Sequence, residues 1–405
     1  MTSAAARLSY PWLALGAMLA VQILASLVLS TAAVLSPAVA PSLSLPPERV
    51  GVFVAVAYLA AMTAGLPTGN WVARWGGVRV SQGALLGLAI GALLAGVGQP
   101  WLLLPAALCI GFGYGLANPA AAAVLARHVP VQSSGLFFSM KQAGVPLGVA
   151  LAGLCMPLGL SLLGWQVSVL VAAVVCLLVC GGLWATVSRL QPRGERLPMH
   201  DQVRWWAPLL DVRRDRELRR LGVVSLVYAM SQQGFLTFLV SLLHLQGGLS
   251  LATAAAILAA SQLASTLARV GFGHVADRWI QPERLLGWLG VAMSAGLVLL
   301  AWVGASGHVL WSALTALLCG AFVMGWNGVF FAELVRTVPR ERLPRAAGAT
   351  QFLTFTGAMS GPFWLSQWVG WGGSYAQGLI GLALFPILIG VMLLRRGRRA
   401  VTTRS

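Results

Sequence analysis

The sequence predicts an all-α integral membrane protein of twelve membrane-spanning helices, arranged as two related six-helix halves. Three observations predict it: a composition too apolar for a water-soluble globule, twelve apolar segments of spanning length, and motifs that occur twice. Of 405 residues, 58% are hydrophobic and 9% charged, with a mean hydropathy of +0.82. Soluble domains carry about 25% charged residues. So little polar surface excludes an ordinary soluble enzyme.

A spanning helix needs about 20 mostly apolar residues. In chain order such segments occupy 12–38, 50–69, 80–98, 101–126, 134–162 and 165–187. They resume at 219–245, 250–274, 285–304, 308–335, 346–370 and 374–394. The first follows Arg7 and ends in Ala38-Val39-Ala40, the outline of a signal peptide. Its apolar run is long and has a counterpart later in the chain, so it is read as retained. Residues 188–218, with five acids among many Arg, form the one sizeable hydrophilic stretch. They are expected to link an N-terminal half, 1–187, to a C-terminal half, 219–394, with a tail over 395–405.

A net charge of +17 arises from 26 Arg and a single Lys, Lys141, against 10 acids. In a soluble protein this excess would point to nucleic acid. Here the Arg residues fall in alternate gaps between segments: Arg7, then Arg74 and Arg79, then Arg127, the cluster from Arg189 to Arg220, Arg278 and Arg284, Arg336 to Arg345, and Arg395 to Arg404. The other gaps hold Glu48 and Arg49 and then almost no charge. Positive residues collect on the cytoplasmic side of membrane proteins, which predicts cytoplasmic termini and middle loop. The expected partner of this charge is the lipid bilayer, with no nucleic acid. The five Cys lie in apolar stretches without metal-ligand spacing, so neither a disulfide nor a metal site is expected. A phosphate loop needs Gly-Lys-Ser/Thr, whereas Lys141 follows Met140; HExxH and GxSxG do not occur. No catalytic residue and no cofactor are therefore expected, and the protein is not read as an enzyme.

Motifs recur between the halves. Gly69-Asn70-Trp71-Val72-Ala73-Arg74-Trp75 aligns with Gly273-His274-Val275-Ala276-Asp277-Arg278-Trp279 at an offset of 204. Asn118 aligns with Asn327 at 209, together with Arg127-His128-Val129-Pro130 and Arg336-Thr337-Val338-Pro339. Gly135, Gly144 and Gly148 align with Gly348, Gly357 and Gly361 at 213. So steady an offset marks one half as a repeat of the other, a common construction in carriers.

These motifs resemble those of the major facilitator superfamily, and the resemblance covers nearly the whole chain. The family signature after the second span is Gly-x-x-x-Asp-Arg-x-Gly, with a degenerate copy after the eighth. The first copy here keeps Gly69, Arg74 and Gly76 but has Ala73 in place of the acid; the second keeps Gly273, Asp277 and Arg278 but ends in Ile280. The resemblance implies a fold of the major facilitator (MFS) type and a latch between the halves at these loops, weakened in the first copy. It further implies that Asp277, Arg278 and Glu333 form a charge relay closing the inward side, and that the protein is a monomer in a bacterial inner membrane. The glycines of the fifth and eleventh spans, with Pro146 and Pro362, resemble the family's antiporter motif. Close helix packing through small residues is the plainer account of them.

Polar groups inside a membrane are costly unless they meet water, substrate or one another. Lys141 lies about seven residues, or ~10 Å, inside the fifth span. Its ammonium calls for a partner or an aqueous cavity, and a bound anion would supply the countercharge; snorkelling along its aliphatic stem is the structural alternative. Gln142 follows it. Tyr228, Ser231, Gln232 and Gln233 cluster in the seventh span, Gln262 lies in the eighth and Gln22 in the first; their groups can hold a substrate or bond across helices. Asn118, Asn327, Trp326, Gln351 and Thr354 complete the candidates. Arg269 lies inside the eighth span, four residues before Gly273. Every acid sits in or near a loop, which disfavours a carboxylate proton relay at mid-membrane, and His244 and His308 near the outer face are read as bystanders.

The sequence thus reads as a secondary carrier working by alternating access on a small-molecule substrate bound between the halves. Lys141 points to an organic anion. Two alternatives stay open: an efflux carrier for apolar or cationic molecules, lined by some of the 16 Trp and 14 Phe, and a non-transporting membrane receptor or scaffold.

Overall fold

The computed structural model describes residues 10–130, 133–191, 212, 214–339 and 342–402. Arg7, most of the expected 188–218 linker and the last residues of the tail lie outside the described residues. Backbone groups in lipid must bond within their own segment, and the apolar runs accordingly form helices. The first six spans are Pro11–Val39, Val50–Gly65, Gly77–Gly96, Leu103–His128, a two-part fifth span of Ser134–Gln142 and Gly144–Leu163, and Trp165–Leu190. The last six are Arg216–Ser241, Leu251–Arg278, Pro282–Gly304, Val309–Thr337, Leu343–Gly370 and Tyr375–Thr402. A short helix, Thr68–Trp75, carries the first signature copy.

Ends are set locally. Asp215 caps the seventh span, its Oδ1 accepting from the amides of Glu217 and Leu218, and the Ser250 hydroxyl caps the eighth. Gly76, at φ 85°, turns the chain from Thr68–Trp75 into the third span, a conformation that side chains beyond glycine resist. Among the described residues, eleven helices are long and apolar enough to cross a membrane. The eleventh span, Leu343–Gly370, is more polar than these. Its Thr350, Thr354 and Thr356 hydroxyls each donate to a carbonyl one turn back, which satisfies them inside the helix. The twelfth span runs well past the expected end at 394, through the Arg-rich segment to Thr402. Cations at a helix C-terminus complement its dipole, and Arg396 pairs with Glu217 at 2.5 Å.

The halves repeat one another in their contacts. First packs on fifth as seventh on eleventh, second on fourth as eighth on tenth, third on fourth as ninth on tenth, and third on sixth as ninth on twelfth. Between halves the second span meets the eleventh, the fifth meets the eighth, and the first meets the seventh. The seventh span is 83% buried and the sixth 33%, which places the former at the centre and the latter at the rim.

The cross-half contacts cluster away from the Arg-rich side. A Cβ at Gly51 would overlap the Pro362 carbonyl and the Ser366 side chain, and one at Gly153 would overlap the Ala255 carbonyl. Deeper in, the Tyr58 hydroxyl donates to Gln233 Oε1 at 3.0 Å and Thr356 faces the Met62 thioether at 3.6 Å. Among the described residues, the contacts between the halves therefore seal the end away from the Arg-rich loops and leave the Arg-rich end parted.

Candidate functional site

The fifth span breaks at Ala143, immediately after Lys141 and Gln142. Pro146 has no amide to offer the Gln142 carbonyl, so the helix ladder lapses there. Pro119 does the same in the fourth span beside Asn118. Broken helices at mid-membrane are where carriers place binding groups. Gly144 adds the packing: a Cβ there would press on the Gln22 side chain at 3.0 Å, so glycine lets the first span bring Gln22 to Lys141.

Lys141 is 3% exposed and Gln22 1%. Lys141 Nζ donates to Gln22 Oε1 at 2.7 Å, to Asn118 Oδ1, and to Gln142 Oε1 at 3.3 Å. All three acceptors are neutral amides. They satisfy the ammonium's three donors and leave its charge uncompensated, and no carboxylate lies within 4 Å of it among the described residues. Burying such a charge is expensive. Four of the sequence candidates thus converge on one point in the N-terminal half, from the first, fourth and fifth spans.

The C-terminal candidates separate. Gln232 Oε1 accepts from the Trp326 indole at 2.9 Å and from Asn327 Nδ2 at 3.3 Å, a closed neutral cluster. Gln233 bonds Tyr58 across the interface instead. Gln262 is fully buried, donating to Ser261 Oγ at 3.2 Å while its Oε1 has no partner. Tyr228 corrects the sequence reading. Its hydroxyl donates to the Leu286 carbonyl at 2.6 Å and presses on Gly290, so it ties the seventh span to the ninth inside the half. Ser231 and Thr354 likewise bond only their own helices.

Of the expected charge relay, the Glu333 and Arg278 side chains are among the described residues. Glu333 pairs with Arg220 of the seventh span at 3.5 Å, and Arg220 also holds Glu217 at 2.9 Å and Glu283. Arg278 is exposed; the Asp277 side chain lies outside the described residues. Arg74 lies over the Trp75 ring at 5.7 Å, exposed, and Gly69 and Gly273 have room for a Cβ among the described residues.

Sequence reasoning passed over the groups that roof the site. Tyr58, Tyr114 and Phe355 pack edge-on or tilted at centroid distances of 5.8 to 6.4 Å across the two halves. Two tyrosines in otherwise Ala-, Gly- and Val-rich spans were the available signal. Arg269 of the eighth span lies within electrostatic range of Tyr114. A separate apolar cavity of about 390 Å³ lies at the sealed end of the N-terminal half, lined by Leu35, Phe53, Val56 and Trp165, away from Lys141.

A sequence profile of the Major Facilitator Superfamily matches residues 18–362. No curated relative matches by sequence. Among solved structures, a bacterial homolog of the human lysosomal transporter Spinster, inward-facing and occupied, superposes with a TM-score of 0.79 at 15% identity, over 96% of this chain and 97% of that one. A variant of the peptide transporter POT bound to alafosfalin gives 0.76 at 16% identity, covering 95% and 94%. A variant of the nucleoside transporter NupG gives 0.76 at 13%, covering 94% and 99%. With its twelve-helix repeat and a family match over most of its length, the chain belongs to the major facilitator superfamily.

Proposed function

We propose that this protein is a secondary transporter that moves a small organic anion across the membrane by alternating access. The observation that carries the reading is Lys141: a buried ammonium at a helix break, held by three neutral oxygens and facing no carboxylate among the described residues. An anion would replace the Gln142 oxygen, the longest of the three contacts, and cancel the charge. An anionic oxygen supplies the countercharge that a neutral amide oxygen cannot, so the exchange favours binding.

The Arg-rich side is assigned to the cytoplasm of a bacterial inner membrane by the positive-inside rule, which makes the described state inward-open. Residues 1–187 and 219–394 are the bodies that rock, as a monomer. The loops at Gly69 to Arg74 and Gly273 to Arg278 close the inward side in the opposite state, while Glu333 and Arg220 stiffen the C-terminal body. Efflux of an apolar or cationic molecule is the second reading, favoured by the Tyr58, Tyr114 and Phe355 cluster.

Thermal unfolding of the purified protein against small carboxylates, organic cations and neutral aromatics tests the proposal, because a ligand that binds the folded state raises Tm by mass action. Carboxylates are expected to stabilise the wild type and to lose that effect in Lys141→Ala. Stabilisation by cations or neutral aromatics alone would replace the anion reading with the efflux one.

A further inference from the structure

Arg269 is the membrane-embedded cation that the reading above leaves unused. It lies nine residues from the end of its helix at Arg278, ~14 Å along the axis. One Nη2 contact to the Met324 carbonyl, at 3.3 Å, is its hydrogen bond, and its buried Nε has no partner. Among the described residues no carboxylate lies within 4 Å of it.

Its depth can be set against that of Lys141. The fifth and eighth spans run in opposite directions and cross where Gly153 meets Ala255 and Ala259. From that crossing toward the parted end, Lys141 is twelve residues along one helix, and Arg269 is about twelve along the other. At 1.5 Å per residue, both lie ~18 Å below the same point. The fourth span gives an independent measure. Lys141 bonds Asn118, and Arg269 stands within electrostatic range of Tyr114, four residues away and so on the same face one turn off. Two uncompensated cations, one from each half, therefore meet the same stretch of the fourth span.

We infer that Arg269 is the second anion-holding group of the transport site, and that the substrate is a small dianion whose two acidic groups are held by Lys141 of one half and Arg269 of the other. This rests on the anion reading of Lys141 and narrows it. A monoanion would leave one membrane-embedded cation unbalanced; a short diacid cancels both. Arg269 Nε and a terminal nitrogen present the two-pronged donor face that a carboxylate accepts. Because the two charges belong to different bodies, a dianion also draws the parted halves together as it binds, whereas a monoanion engages one body alone.

The test is binding of the α,ω-diacids from oxalate to adipate, each against its monomethyl ester, measured by ligand-induced Tm shift and by isothermal titration. The ester removes one charge at nearly constant size. The wild type should bind the best diacid at least tenfold tighter than its half-ester. Arg269→Gln should reduce the diacid to the affinity of the half-ester and leave the half-ester within about twofold, and Arg269→Lys should restore part of the preference. Half-esters binding the wild type as tightly as diacids would overturn the dianion inference and leave the anion reading standing. An equal loss of both ligands in Arg269→Gln would overturn it in the same way. Binding of neither class to the wild type would overturn both.

Discussion

The two halves share one plan and differ where charge is concerned. In the C-terminal half, Gln232 and Asn327 bond each other directly with the Trp326 indole alongside. In the N-terminal half Asn118 holds the place of Asn327, but Gln22 and Asn118 do not close on each other; Lys141 stands between them. The repeat position of Lys141, 213 residues on, is Thr354, whose hydroxyl donates to its own helix. The repeat position of Arg269, 204 residues back, is Gly65. The Arg-rich ends differ in the opposite sense. Arg220 of the C-terminal half gathers Glu217, Glu283 and Glu333, whereas the repeat positions of Glu283 and Glu333 are Arg79 and the buried Val124. One half spends paired charge on rigidity at its rim, and unpaired charge is reserved for the interior between halves. Duplication supplied the frame, and single substitutions on it supplied the chemistry.

Moving the cation is the sharpest way to break this comparison. The double variant Lys141→Thr with Thr354→Lys keeps composition and exchanges the repeat positions. Since Gln232 Oε1 is already taken by Trp326 and Asn327, the transferred ammonium does not meet the three-oxygen pocket that holds Lys141, and the anion-induced Tm shift is expected to vanish. A retained shift would show that either half can host the site.

The rim contrast yields the next largest effect. Arg220→Met leaves Glu283 and Glu333 without their cation. Breaking a fully buried pair costs 3–5 kcal/mol, and the partial exposure here lowers the expectation to about 2–3 kcal/mol. Arg79→Met, at the corresponding exposed site, should stay within about 0.5 kcal/mol. Unfolding midpoints of the two variants in the same detergent decide whether the ends differ as described.

Smaller effects probe the seam between halves. Gly153→Leu places a branched side chain against the Ala255 carbonyl and should tilt the population toward the state parted at the other end, by about tenfold, or 1.4 kcal/mol. Protection of a cysteine introduced near Gly69 from a membrane-impermeant thiol reagent reports it. Tyr58→Phe removes the bond to Gln233 and should lower stability by about 1 kcal/mol, visible as a modest drop in Tm with anion binding intact.

Much of this was legible beforehand. Spans and repeat follow from hydropathy and from motifs at fixed offsets, because lipid leaves the backbone few choices. Lys141, Gln22, Asn118 and Gln142 were each nameable, since a polar group within an apolar run announces its cost. Their meeting was not, because it joins three helices by tertiary packing. Tyr228 misled for the same reason: the sequence shows a polar tip, and the structure shows it spent on the Leu286 carbonyl. The Arg220 partner of Glu333, more than a hundred residues away, carries no local signal in the sequence. The Tyr58, Tyr114 and Phe355 group is assembled from both halves, so the two tyrosines were visible in the sequence but their meeting with Phe355 was not.

The sealed end is made of glycine, alanine and proline carbonyls pressed together around Gly51 and Gly153, without an ion pair between the bodies there among the described residues. Such a joint has no ion pair to break when it opens, among the described residues. Its two settings can therefore be close in free energy, and a ligand that prefers one by 1–3 kcal/mol redistributes them by about 5- to 150-fold. A plain zipper of small residues at one end is what allows a few charges in the middle to act as the throw of the switch.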